Sequence, residues 1–95
     1  MDIEEYRASL KDAVVPSHLG TPLQALWYAA KDDWHQAHSL VQDESDTDSA
    51  WVHAYLHRVE GDNFNARYWY SRAGRPVPDE SLEKEWATIV HALLA

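Results

Sequence analysis

The fold is decided by the stretch from Trp51 to Pro76, which reads WVHAYLHRVEGDNFNARYWYSRAGRP. Apolar residues recur at intervals of three and four on both sides of its centre, a spacing that is typical of amphipathic helices. Gly61 favours the end of a first helix, and Asp62 directly after it favours the start of a second. The stretch therefore predicts two antiparallel helices that are joined by a tight turn.

The same arrangement occurs earlier in the chain. With an offset of 29 residues, three pairs of small or capping residues coincide: Ala25 with Ala54, Asp33 with Asp62, and Ala37 with Ala66. Small residues matter because two helices approach closely only where large side chains are missing from the contact. The sequence therefore predicts two helix-turn-helix units, over about residues 22–46 and 49–76.

Further helices are predicted at both ends of the chain. An apolar stripe opens the sequence and is expected to end before Pro16, which disfavours helical backbone in front of it; its members are Ile3, Tyr6, Leu10 and Val14. Asp79 is expected to cap a last helix that is apolar to its end. We therefore predict a single all-α domain over residues 1–95, an array of about six antiparallel helices in which the helices at about 2–15 and 79–94 act as caps.

Composition argues against several classes of function. The 95 residues include 16 acidic and 8 basic side chains, which gives a net charge of −8 at pH 7. This charge argues against binding to nucleic acids or anionic membranes. The chain contains no cysteine, so thiolate metal sites, disulfides and cysteine nucleophiles are excluded. No apolar run approaches the roughly 20 residues that span a bilayer, and the acidic N-terminus does not resemble a signal peptide, so we expect a cytoplasmic protein.

The second unit resembles a tetratricopeptide or Sel1-type repeat. The resemblance rests on the Gly61-Asp62 turn, Ala66, the aromatic Tyr70, Ala73 and the closing Pro76. The first unit resembles the pattern with Asp32 at the position of the turn glycine, and the offset of 29 residues differs from the usual period of about 34. From Ala25 to Pro76 the chain is also similar to a small family of uncharacterised bacterial proteins. The repeat resemblance implies stacked helices that offer a concave face to a peptide or a helix.

Two histidines share one face of the helix before Gly61. His53 and His57 are one turn apart, and Glu60 follows on the same face. Neutral imidazoles at this spacing can bind zinc or another divalent ion, and a carboxylate can complete the ligand set. A zincin-type protease is excluded, because Ala54 stands where that motif has its glutamate. The alternative is that both histidines only pack or hydrogen-bond at a helix interface.

A third histidine, His38, belongs to the preceding helix, which is predicted to be a neighbour in the stack. Convergence of His38 with His53, His57 and Glu60, and with Tyr68 of the fifth helix, would be an unusual amount of polarity for a core. The alternative is two separate pairs of histidines on the surface, His35 with His38 and His53 with His57. The sequence contains none of the motifs of nucleophilic or phosphate-binding enzymes, so no catalytic residue is assigned.

Positive charge is concentrated between residues 51 and 75, where four arginines and two acidic residues give a local charge of +2. Arginines beside aromatic side chains can bind carboxylates or phosphates, and they can equally pair with the acidic residues at 43–48 or 80–85. Phe64 and Tyr68 are one helical turn apart. They either face a partner or pack against the last helix.

Two functions are therefore open. The first is a protein-protein interaction module that contacts a protein or peptide through Arg58, Tyr68, Arg72 and the histidine face. The second is a small-ligand or metal site, with or without catalysis, on His38, His53, His57 and Glu60. The metal candidates are His53 and His57, and no other cofactor is assigned. The apolar last helix also predicts a homodimer.

Overall fold

A computed structural model describes all 95 residues, and its regular secondary structure consists of six α-helices. The helices are α1 (Ile3–Ser9), α2 (Thr21–Ala30), α3 (Trp34–Val41), α4 (Thr47–Val59), α5 (Asn63–Ala73) and α6 (Leu82–Leu94). The predicted all-α fold of about six helices is confirmed. Crossing a lipid bilayer takes a longer or more apolar helix than any of these six.

The helices α2 and α3 pack against each other, as do α4 and α5. Within each pair, the two helices are joined by a turn, and the two turns have the same geometry. Asp33 donates its N–H to the carbonyl of Tyr28 at 2.9 Å, and Asp62 donates its N–H to the carbonyl of His57 at 2.9 Å. Both aspartate side chains also accept an N–H from the first turn of the following helix. The two predicted N-caps are therefore confirmed.

One residue in each turn has left-handed backbone. Gly61 has a φ of 83°, and Asp32, at the equivalent place in the first turn, has a φ of 64°. This conformation crowds the Cβ atom of an L-residue, whereas glycine adopts it freely. The turn before α3 therefore carries a local strain that the turn before α5 avoids.

The alanines that the sequence comparison aligns are all in the core. Ala25, Ala37 and Ala54 are fully buried, and Ala66 is 3% exposed. Large side chains from every helix surround them: Tyr6, Leu26, Trp27, Val41, Val52, Leu56, Tyr70, Ile89 and Val90. The absence of side chains beyond Cβ at these positions lets the paired helices approach.

Helix α6 packs on α1, α2 and α4 and closes this core. Its residues Ile89 and Val90 are fully buried, and the indole N–H of Trp86 donates to the carbonyl of Leu26 at 2.9 Å. The apolar face of α6 at Trp86, Ile89 and Val90 is thus covered within one molecule, and a homodimer through this helix stays a prediction.

The first helix is shorter than predicted, since it ends at Ser9. Beyond it, the amino group of Lys31 donates to the carbonyls of Leu10 and Asp12 at 2.6 and 3.0 Å. These carbonyls are therefore satisfied without further helical turns. Val14, which the apolar stripe includes, is 75% exposed and lies outside the core.

Two other helix starts differ from the prediction by one or two residues. Gly20 precedes α2 as its N-cap, with Thr21 already helical. Ser81 caps α6, where its hydroxyl accepts the N–H of Lys84 at 3.1 Å. Asp79 lies too far ahead of the helix to reach the N–H groups of its first turn.

A buried carboxylate ties α6 to α4 and α5. Glu85 is 2% exposed, and one of its oxygens accepts from the guanidinium of Arg58 at 2.8 Å. Its other oxygen accepts the hydroxyl of Tyr70, and Arg58 also donates to the carbonyl of Glu80. Burial, followed by the contact with Glu85, raises the pKa of Tyr70 above its usual range.

Candidate metal centre

Three histidines from two helices meet between α3 and α4. His38 on α3 faces His53 and His57, which lie one turn apart on α4. One ring nitrogen from each lies within 4.8 Å of the other two. The nearest two atoms are Nε2 of His38 and Nε2 of His53, at 3.0 Å. The structure thus brings together all three histidines of the predicted face.

Glu60 holds His57 from the other side of its ring. The Nδ1 of His57 lies 2.7 Å from Oε1 of Glu60. Because an ionised carboxylate only accepts hydrogen bonds, Nδ1 of His57 is the donor in this contact, and in a neutral imidazole the lone pair is then on Nε2. A carboxylate behind a ligating imidazole is the usual device that fixes ring orientation in metal sites.

Two tryptophans enclose the histidines. The ring of Trp34 stacks on His38 with centroids 4.6 Å apart, and the ring of Trp69, from α5, stacks on His53 at 3.9 Å. The indole N–H of Trp34 donates to the carbonyl of Leu56 at 2.7 Å, which holds this ring against α4. The two indoles therefore limit the motion of the imidazoles and shield them from water.

Burial favours the neutral form of two of the imidazoles, those of His38 and His53. Burial is the main reason that the pKa of His53 is lowered to about 4, and the nearby His38 and His57 lower it further. Burial and the proximity of His57 also lower the pKa of His38, against a weaker opposing effect of Glu60. Metal ions bind the neutral form of histidine, so at pH 7 protons compete little for these two rings.

One atom of the cluster has no hydrogen-bond partner. His53 is 4% exposed, and its Nδ1 contacts no donor or acceptor. The contact between Nε2 of His38 and Nε2 of His53 needs one proton between two nitrogens, and either choice leaves Nδ1 of His53 unpaired. An unpaired buried polar atom costs about 1–3 kcal/mol. Packing alone does not explain this unpaired atom.

The spacing of the nitrogens is close to that of a tetrahedral zinc site. Zinc-nitrogen bonds of about 2.0–2.1 Å place two ligating nitrogens roughly 3.3–3.4 Å apart. The 3.0 Å between His38 and His53 has to open by a few tenths of an ångström, and the nitrogen of His57, which lies within 4.8 Å of both, has to reach the same spacing. An imidazole-only set suits zinc, copper or nickel and not magnesium or calcium. Three protein ligands leave a fourth position for water or another ligand.

The remaining candidate residues lie outside the cluster. Arg58 is held by Glu85 on the side that faces α6. Tyr68 and Arg72 are exposed on α5, where Arg72 donates to the hydroxyl of Tyr68 at 3.1 Å. The guanidinium of Arg72 also lies 5.3 Å from the ring centre of Trp69. The two α5 residues thus adjoin the indole that covers His53 but are not part of the ligand set.

Sequence reasoning did not identify the two tryptophans as walls of the site. Trp34 lies four residues before His38, and side chains at this helical spacing are neighbours, so the contact was available from the sequence. Trp69 carries no such signal. Its stacking on His53 depends on how α5 crosses α4, which local spacing does not determine.

No protein-family model, no curated protein and no solved structure matches the chain. The interpretation of the site therefore rests on the geometry of its own residues. The resemblance to tetratricopeptide or Sel1-type repeats stays a prediction, and the equivalent turns at Asp32 and Gly61 describe local backbone only.

Proposed function

We propose that the protein binds a divalent transition-metal ion, zinc in the first instance, through one ring nitrogen each from His38, His53 and His57. The observation that carries the proposal is the convergence of these nitrogens within 4.8 Å of one another. The carboxylate of Glu60 supports it, because its hydrogen bond to Nδ1 leaves Nε2 of His57 free to ligate.

The physical state of the free protein favours such binding. The lowered pKa of His53 means that no proton has to leave this ring at pH 7. The stacked rings of Trp34 and Trp69 already restrict two of the three imidazoles, so little side-chain freedom is lost when an ion binds. His38 is the least buried of the three ligands, which supports entry of the ion and of a fourth ligand from its side.

Elemental analysis of untagged protein, together with calorimetric titration with zinc chloride, tests the proposal. We expect one zinc ion per chain in the wild type and none in the double variant His53→Ala/His57→Ala. The matched control His35→Ala/His91→Ala removes two exposed histidines outside the cluster and should bind as the wild type does. Equal zinc binding by the cluster variant would contradict the proposal.

The double variant also removes packed rings, so its fold needs a separate check. Far-UV circular dichroism at equal concentration reports whether the helices persist. The single variant His38→Gln removes a less buried ligand and should weaken zinc binding with unchanged helicity. Unchanged zinc affinity in folded His38→Gln would show that this side chain is not a ligand.

Protein-protein interaction is the second candidate function, and the exposed side chains of α5 favour it. Tyr68 is 51% exposed, and Arg72 beside it has no carboxylate partner in the chain. Arg58 contributes less to such a surface, because Glu85 already binds it. Replacing Tyr68 and Arg72 by alanine should abolish binding of any partner that the wild type retains at this face, and undiminished binding would contradict this role.

A further inference from the structure

We infer that α5 is a self-association surface at which two copies of this chain pair with their α5 helices antiparallel. Its outer face consists of five exposed residues: Phe64, Arg67, Tyr68, Ser71 and Arg72. Ala66 and Tyr70 are buried on the opposite side of the same helix. A period of 3.6 residues places these two sets on opposite faces.

Helix α5 is covered on one side only. Among the helices it packs closely only on α4, with a side-chain contact to α6 through Tyr70 and Glu85, whereas α6 packs closely on three. The sequence left two alternatives for Phe64 and Tyr68, and the structure shows both side chains largely exposed and no close backbone approach of α5 to α6. The outer face of α5 therefore has no partner within the chain.

The centre of this face is aromatic. Phe64 is 76% exposed and Tyr68 is 51% exposed, and no other aromatic side chain of the protein is exposed to this extent. The two rings lie one helical turn apart and form one apolar strip. Aromatic residues are enriched at the centres of protein interfaces, where they supply most of the contact energy.

The distribution of charge along α5 indicates that the molecule that binds its outer face is a second copy of this chain. Asp62 caps the start of α5 and Arg72 lies in its last turn, with Arg67 near the middle of the helix. Neither arginine takes part in an ion pair, since the two ion pairs of the chain involve other basic residues. Antiparallel pairing about a two-fold axis places the acidic start of each helix against the basic end of the other. The same face is thus complementary to itself.

The contact is small, so the dimer is weak. A helix of 11 residues is about 16 Å long, and two such faces bury less than the roughly 1,000 Å² of a stable interface. The net charge of −8 on each copy opposes association further. We therefore expect a monomer-dimer equilibrium that depends on concentration and not a permanent dimer.

Sedimentation velocity tests the inference with the protein as it is. The average mass should rise towards two chains between about 10 μM and about 1 mM, the range in which small interfaces associate. The variant Phe64→Ser/Arg72→Glu should associate at least roughly tenfold more weakly, because it removes one aromatic anchor and reverses one charge. The matched control Val14→Ser/Lys11→Glu likewise replaces one apolar side chain by serine and reverses one positive charge, at exposed positions before α2, and should dimerise as the wild type does.

Two results would overturn the inference. The first is a wild-type chain that stays monomeric up to about 1 mM, which would leave the face to a different molecule. The second is a dimer that Phe64→Ser/Arg72→Glu does not weaken, which would place the interface elsewhere, for example on α6. Circular dichroism of the variant checks that its helices are intact, as expected for substitutions of exposed residues.

The absence of cysteine allows a second, positional experiment. Arg67 lies on the outer face of α5, midway between Asp62 and Arg72, where antiparallel pairing places the two-fold axis, and Ser17 is exposed in the connector before α2. Under mild oxidation, Arg67→Cys should form a disulfide between copies faster than Ser17→Cys at the same concentration, because antiparallel pairing brings the two copies of this central position together. Equal rates would contradict antiparallel pairing of α5.

Discussion

At the residue scale, His53 combines burial, a stacked indole and an unpartnered Nδ1. The same surroundings that make it a good ligand make it a poor base. Its ring is held between Trp69 and His38, and there is little water to stabilise a positive charge. Protonation of this one ring therefore opposes both metal binding and folding.

The stability of the metal-free protein should fall in mild acid. The unfolded chain protonates His53 near the ordinary pKa of about 6.5, whereas the folded chain does so at about 4. Between these values the unfolded state binds more protons, so the contribution is complete above pH 6.5 and is lost as the pH falls towards 4, by roughly 3 kcal/mol. Urea unfolding at a series of pH values measures this. His53→Leu should lose most of the pH dependence, and an unchanged slope in that variant would rule out His53 as its source.

Glu85 is the second residue on which stability depends strongly. The variant Glu85→Gln keeps the shape of the side chain but leaves the half-buried guanidinium of Arg58 without a counter-charge. Breaking a buried ion pair from one side costs about 3–5 kcal/mol, and the partial exposure of Arg58 lowers our expectation to about 2–3 kcal/mol. Urea unfolding at pH 7 measures the loss. Glu83→Gln, on the exposed face of the same helix, should change stability by less than about 0.5 kcal/mol.

At the scale of the helices and turns, the two equivalent turns predict opposite effects of substitution. Asp32→Gly should stabilise the protein by about 0.5–1 kcal/mol, because it relieves the left-handed strain at a small entropic cost. Gly61→Ala should destabilise it by about 1 kcal/mol, although no atom lies within 4 Å of the added Cβ. Thermal unfolding of the two variants measures the difference. Shifts of the same sign would show that backbone strain does not control these turns.

Most of the helical architecture could be predicted from local patterns. Apolar spacing and the caps at Asp33 and Asp62 located the paired helices, because these signals act within a single turn of chain. The end of α1 could not be predicted, because Lys31, distant in sequence, satisfies the carbonyls after Ser9. Element boundaries of this kind depend on tertiary contacts.

Part of the candidate site could likewise be predicted from the sequence, and part could not. The spacing of His53 and His57 on one helix was readable from the sequence, and His38 was placed beside them by the expected packing of α3 on α4. The stacking of Trp69 on His53 was not readable, since it depends on the crossing of α5 over α4. The sequence also did not show which acidic residue pairs with Arg58, and the structure identifies it as Glu85.

At the scale of the whole molecule, zinc should stabilise the fold by linking α3 to α4. An ion that binds only the folded state raises the free energy of unfolding by about 2.7 kcal/mol when its free concentration is about 100 times its Kd. For a domain of this size that corresponds to about 10–20 °C in Tm. Thermal unfolding with and without zinc measures the shift. His57→Gln should shift by only a small fraction of this amount, and an equal shift in that variant would indicate zinc binding elsewhere.

The stacking of Trp34 and Trp69 on two of the three ligands has an optical consequence. Two of the five tryptophans touch the imidazoles, so any change of charge at the site alters the electronic surroundings of an emitting group. A paramagnetic ion such as Cu²⁺ would quench these two indoles, whereas Zn²⁺ would shift their emission without quenching it. The fluorescence of unlabelled protein therefore tests the proposed metal site, because it would report whether an added ion binds there and whether that ion is paramagnetic.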